Sequence, residues 1–173
     1  PDVIEDIHRS HLDAGADIIE TNTFGSTPVV LAEYGLAHEA RRLNRDAAII
    51  ARRVADAAST PDKTRFVAGS MGPTTKTISV TGGITFEELA ADYHTQAVGL
   101  IEGGVDLLLL ETSQDTLNVK AGLEGIDRAF VELGQEIPVA VQGTVEPMGT
   151  LLAGQDVEAF YTSLAHRDLL WIG

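Results

Sequence analysis

Two glutamates stand where an apolar run meets a cluster of small polar residues. In "GADIIETNTFGS", residues 15 to 26, Glu20 follows an isoleucine pair; in "GVDLLLLETSQDTLN", residues 104 to 118, Glu111 follows four leucines. Both copies share a glycine, an aspartate two residues on, an apolar run and then Glu-Thr. A carboxylate set against apolar walls exerts a strong field, because Coulomb forces grow as the local dielectric falls. Two uses fit such a pair. With little cationic sequence nearby, the two charges suit a cationic ligand group such as an ammonium, which offsets a repulsion that otherwise raises one pKa. Action as general acid and general base on a small metabolite is the other use. The plainer role is a glutamate that caps a helix or pairs with a lysine, and the duplication of the pattern favours a site over that role.

Other chemistry-bearing residues are weaker candidates. "GSMGPTTKT", residues 69 to 77, resembles a phosphate loop, but that motif needs glycine directly before Lys-Ser/Thr and here Thr75 precedes Lys76. Lys76 lies in a polar loop, where the lowered pKa of a Schiff-base lysine is hard to obtain, so it reads as a solvated charge. His8 and His11 are spaced to share a helical face but lack a third metal ligand, and both read as exposed. His38, His94 and His166 fall in helical segments with no nucleophile nearby and read as surface residues. Trp171 falls in a strand-like run and reads as core. The sequence has no cysteine, which excludes disulfides, thiolate catalysis and cysteine-ligated zinc within this chain.

These residues need elements to carry them. Beside the four leucines, "ADIIE" at 16 to 20, "RFVAG" at 65 to 69, "IPVAVQ" at 137 to 142 and "LLWIG" at 169 to 173 read as strands. None alternates with period two, as befits strands covered on both faces. Helical spacing fills the intervals. Thr85 and Glu88 form a capping box for a helix that presents Phe86, Leu89, Ala90, Tyr93, Ala97, Leu100 and Ile101 on one face and stops at Gly103-Gly104. Asp115 or Thr116 caps a helix ending near Leu133 with Gly134 as its stop, and Asp156 opens another carrying Val157, Phe160, Tyr161 and Leu164. Residues 28 to 58 hold one long helix or a shorter pair. Alternation of strand and helix predicts an α/β fold with a parallel sheet, closed as a barrel or open and doubly wound. Links from strand to helix are long and rich in Gly, Ser, Thr and Asn, which puts the ligand end at the carboxyl ends of the strands, where Glu20 and Glu111 emerge.

Composition narrows the partners. The 173 residues are 44% hydrophobic, enough for one domain with a sizeable core. Lys and Arg number 12 against 26 Asp and Glu, a net charge of -14, which argues against nucleic acid and anionic membrane as partners. No apolar run approaches the roughly 18 residues of a membrane span, and no signal peptide is evident, so a cytoplasmic protein is expected.

The strings "GADIIETNTFGS", "GSMGPT", "DLLLLETSQDTLN", "QGTVEPMGTLLAGQDVEAFYTSL" and "LLWIG" occur in order along the chain. Together they resemble the homocysteine-binding domain of the cobalamin-dependent methionine synthases, within the homocysteine S-methyltransferase family. The resemblance implies a parallel (β/α)8 TIM-type barrel, of which residues 1–173 are expected to supply about five of eight βα units as a single partial domain, truncated at both ends. It implies that Glu111 grips the α-amino group of homocysteine, that Thr21 and Asn22 line the amino-acid pocket and that Phe24 supplies an apolar wall. In the family, zinc held by three cysteines binds the homocysteine sulfur as a thiolate, which takes a methyl group from methylcobalamin to give methionine. This chain departs from that pattern by having no cysteine, so it is expected to bind neither zinc nor cobalamin alone and to be inactive alone. Its implied partners are homocysteine, the remaining barrel strands and the folate- and cobalamin-binding domains of a parent chain. Two other readings stand beside this one. Strand edges near Gly15 and Trp171 suit a non-catalytic assembly module prone to self-association, and Glu20 with Glu111 suits an unrelated barrel enzyme using acid and base.

Overall fold

Apolar runs bounded by turn residues become strands, and the longer periodic segments between them become helices, in the computed structural model, which describes residues 2–173. The strands are β1 (Ile18–Glu20), β2 (Phe66–Met71), β3 (Leu107–Ser113), β4 (Val139–Gly143) and β5 (Trp171–Ile172). The helices are α1 (Asp2–Asp13), α2 (Pro28–Leu31), α3 (Ala40–Ala58), α4 (Phe86–Glu102), α5 (Thr116–Leu133) and α6 (Val157–Leu164). Residues 28 to 58 do not form one helix: two short 3-10 turns, Ala32–Tyr34 and Ala37–Glu39, separate α2 from α3.

Local caps define the ends of the long helices. The Thr85 hydroxyl accepts from the Glu88 N–H, and the Glu88 carboxylate accepts from the Thr85 N–H at 2.9 Å. The Asp115 carboxylate accepts from the Leu117 N–H at 2.8 Å at the start of α5, and Gly134, with φ 62°, ends it. Caps of this kind each contribute about 1 kcal/mol.

The five strands pair in parallel and strictly in chain order, β1-β2-β3-β4-β5. A doubly wound sheet reverses its order at a switch point and carries helices on both faces. Here Ile19, Val67, Met71, Leu108, Leu110, Val139 and Val141 face the helices in one large core, while Ala68, Leu107, Leu109 and Ala140 form a separate cluster with Trp171 on the other face. Chain-order pairing with helices on one face only is the arrangement of a β/α barrel, seen as an arc of five strands. The second face is the wall of the barrel lumen.

Four residues differ in burial from the sequence reading. His8 is buried, because it shares with Leu12 the face of α1 turned inward, and desolvation ahead of the neighbouring His11 charge lowers its pKa. Val157 and Tyr161 are exposed, since the short α6 turns only Phe160 and Leu164 to the core. Phe86, the first residue of α4, is also partly exposed rather than part of its buried face.

Candidate functional site

The strand register places both glutamates on the lumen side. Glu20 pairs with Ala68, and Glu111 lies two residues beyond Leu109, which pairs with Ser70 on one side and Ala140 on the other. Beyond Leu109 the ladder slips. Leu109 pairs with Ala140 and Ser113 with Gly143, so β3 carries one residue more than β4 across the interval. The extra residue is accommodated at Thr112, whose φ of 55° is the left-handed region and which is alone among described non-glycine residues in adopting it. A β-branched residue held there costs about 1–2 kcal/mol. Bulges of this kind bend a strand and re-aim its side chains. Here the bulge leaves Glu111 in the lumen and buries Ser113 on the helix side.

A hydrogen-bonded chain fixes the Glu111 carboxylate. The Ser70 hydroxyl donates to Glu111 Oε1 at 2.5 Å. Ser70 is itself clamped, its N–H donating to Thr21 Oγ1 at 3.0 Å and its carbonyl accepting from Thr23 Oγ1 at 2.7 Å. Thr21 and Thr23 hydroxyls lie 2.6 Å apart. Each hydroxyl carries one proton, and that of Thr23 is committed to Ser70, so Thr21 donates to Thr23. Thr21 is buried and its hydroxyl thereby belongs to the scaffold under Glu111.

Phe24 and Asn22 sit on the same loop at the exposed rim of the mouth. The Phe24 ring lies flat on Gly72, where a Cβ would come within 2.7 Å of three ring atoms, and the Gly72 N–H donates to the Phe24 carbonyl at 3.0 Å. Only glycine lets that ring settle. Tyr93, buried in α4, donates its hydroxyl to the Gly72 carbonyl at 2.9 Å and holds the contact from below. Asn22 makes no side-chain hydrogen bond among the described residues and presents its amide to solvent.

Among the described residues, no Lys, Arg or His pairs with Glu20 or Glu111. Partial desolvation, followed by the like charge of Glu111, raises the Glu20 carboxyl above its ordinary range. The mouth is therefore anionic and lacks an internal counter-charge. Such an arrangement favours a ligand that brings a positive group.

The remaining candidates lie apart from it. Lys76, His11, His38 and His166 are exposed, and His94 pairs with Glu132 at 2.9 Å. A cleft of about 770 Å³ runs past Ile137, Pro138 and Leu170 at the amino ends of β4 and β5, the opposite end of the sheet from Glu111. The chain does not fit a thiolate-held zinc ion: it has no cysteine, and no group of three or more metal-ligating side chains forms among the described residues. Likewise no described helix is long and apolar enough to cross a membrane. Ser70, Thr23 and Thr112 were missed in the sequence. Ser70 did carry a signal, a polar residue inside a run of buried ones in β2.

A family model described as homocysteine S-methyltransferase matches residues 1–173. Methionine synthase of Mycobacterium leprae (strain TN) is 45% identical over 173 residues, which are all of this chain and 14% of that protein. Among solved structures, the metallated form of the homocysteine methyltransferase MmuM from Escherichia coli superposes with a TM-score of 0.83 at 21% identity, over 100% of this chain and 62% of that one. The apo form of the same protein gives a TM-score of 0.74 over 99% of this chain. The structural likeness establishes the barrel fold, and the chain spans a minor part of the methionine synthase that it matches.

Proposed function

Because the chain belongs to the homocysteine S-methyltransferase family, we propose that it supplies the methyl-acceptor site of a methionine synthase, as part of a homocysteine-binding barrel domain. The carrying observation is Glu111: a lumen-facing carboxylate, oriented by Ser70 and without a cation of its own. It accepts the α-ammonium of homocysteine in a charge-assisted hydrogen bond. Ser70 holds one carboxylate oxygen in place, which leaves the other for the ligand. Thr21 supports Ser70, Asn22 offers an amide at the rim and Phe24 an apolar wall beside the aliphatic part of the substrate. Glu20 adds a second anionic wall that deepens the attraction for an ammonium. Its use with Glu111 as the acid and base of an unrelated barrel enzyme falls with the family assignment.

The reaction is transfer of a methyl group to the homocysteine sulfur, giving methionine. In the longer protein, zinc would hold that sulfur as a thiolate and cobalamin would deliver the methyl group. The sequence has no cysteine and no ligand set for zinc forms among the described residues, so the contribution of this chain is to bind and orient the amino-acid end of the substrate. The folate- and cobalamin-binding domains of a parent chain are its partners, and the cytoplasm its compartment, in keeping with an acidic chain in which no described helix could cross a membrane. Titration calorimetry of L-homocysteine into the full-length protein tests the reading. Binding that is lost in Glu111→Gln supports it, and equal binding by both proteins overturns it.

A further inference from the structure

Below the rim loop lies a pair of side-chain amides that the substrate site does not account for. Gln96 of α4 and Asn44 of α3 are both fully buried, at 0% exposure, 52 residues apart in sequence. Gln96 Nε2 donates to the Thr23 carbonyl at 2.8 Å and to Asn44 Oδ1 at 3.3 Å. Asn44 Nδ2 donates to the carbonyls of Ser26 and Ala40, each at 2.8 Å. Every amide proton of the pair is used, and flipping either group would set oxygen against oxygen, so the network fixes both orientations.

The leftover atom is informative. Gln96 Oε1 is buried without a partner, which is an unfavourable way to occupy a core position. A methionine or leucine there would avoid that penalty. What the amide supplies in return is its two N–H groups, one of them on the backbone of the rim loop. The helices are also drawn together for it. A Cβ on Gly99 would lie 2.4 Å from the Arg41 carbonyl oxygen and 3.0 Å from Asn44 Cβ, so only glycine lets α4 approach α3 closely enough at this level.

We infer that the Gln96–Asn44 pair is a positioning device for the substrate loop. It holds the Thr23 and Ser26 carbonyls, and the segment between them carries Phe24 while Thr23 itself clamps Ser70 beneath Glu111. Loss of the pair frees the loop without touching the groups that meet the substrate. This rests on reading the loop as a wall of the homocysteine site. The consequence belongs to substrate affinity, because an ordering cost once met by the fold must then be met by the ligand.

The test uses the full-length enzyme with Gln96→Met, which keeps length and flexibility and removes both donors. The homocysteine KM is expected to rise about tenfold with kcat held within about twofold, since binding common to ground and transition state is what has been weakened. Amide exchange at Ser26 and Gly72 is expected to quicken in parallel. An unchanged KM and unchanged exchange, even beside a lowered melting temperature, would show a purely structural role and overturn the inference. Should Gln96→Met fail to fold, Asn44→Ser, which removes the grip on Ser26 and Ala40 and the amide acceptor of Gln96 but leaves the Gln96 bond to the Thr23 carbonyl, is read by the same criteria. Failure of the underlying site reading is distinguishable: the wild-type protein would then take up no homocysteine, whereas failure of this inference alone leaves wild type and variants binding equally.

Discussion

Each copy of the repeated pattern puts one carboxylate at either end of a strand, and the two ends treat them differently. At the amino ends, Asp17 pairs with Lys63 at 3.0 Å and Arg65 at 3.4 Å, while Asp106 pairs with Arg52 at 2.5 Å and accepts from the Val67 N–H at 2.6 Å. At the carboxyl ends, Glu111 accepts from the Ser70 hydroxyl, Glu20 feels the like charge of Glu111, and neither meets a cation among the described residues. At the amino ends cations tie neighbouring segments together; at the carboxyl ends the charge is left unpaired among the described residues. Barrels separate stability from function along the same axis.

Breaking the carboxyl end should therefore alter affinity, and breaking the amino end should alter stability. The largest effect is expected for Glu111→Gln, which removes the charge facing the ammonium and lowers homocysteine affinity about 100-fold by calorimetry on the full-length protein. Next, Asp106→Ala strips the Val67 N–H of its side-chain acceptor and Arg52 of one of its partners, and should lower unfolding free energy by about 2 kcal/mol in denaturant titration, with affinity unmoved. Ser70→Ala leaves Glu111 charged but free to swing, and a loss of about tenfold in affinity is expected.

Glu20→Gln sharpens the contrast from the other side. Its folded carboxyl is raised above the ordinary range, so its favourable contribution is complete at acid pH below that range and is lost as pH climbs through the raised value. The glutamine variant should thus be the more stable protein near neutrality and lose that advantage on acidification, as followed by denaturation across pH. Smallest of all, Thr112→Asn replaces a β-branched residue in the left-handed region with one that tolerates it, and should add about 0.5–1 kcal/mol of stability. A loss of stability there would mean that the Thr112 side chain, rather than the backbone bend, matters.

Much of this was legible in the residues themselves. Thr85, Asp115 and Gly134 announce helix ends through local chemistry, and the apolar runs announce strands, so the elements follow from short stretches. Glu111 could be singled out because a charge that ends four leucines is locally anomalous. Closure could not, because barrel and open sheet differ in which strands are neighbours, a property of pairings far apart in sequence. The same holds for Gln96 with Asn44 and for Ser70 with Glu111, whose partners lie 52 and 41 residues away. Nothing about a threonine predicts φ of 55°, because the bulge comes from the register between β3 and β4. His8 reads as exposed in the sequence because charged neighbours on α1 mask the inward face it shares with Leu12.

The central claim is that Glu111 recognises a positive charge on the ligand, not merely its bulk. A cycle on the full-length protein isolates this, comparing L-homocysteine with 4-mercaptobutanoate, which lacks only the amino group, on wild type and Glu111→Gln. The substitution should weaken homocysteine about 100-fold and the des-amino compound less than about threefold, a strong coupling between carboxylate and ammonium. Equal losses for both compounds would contradict the account.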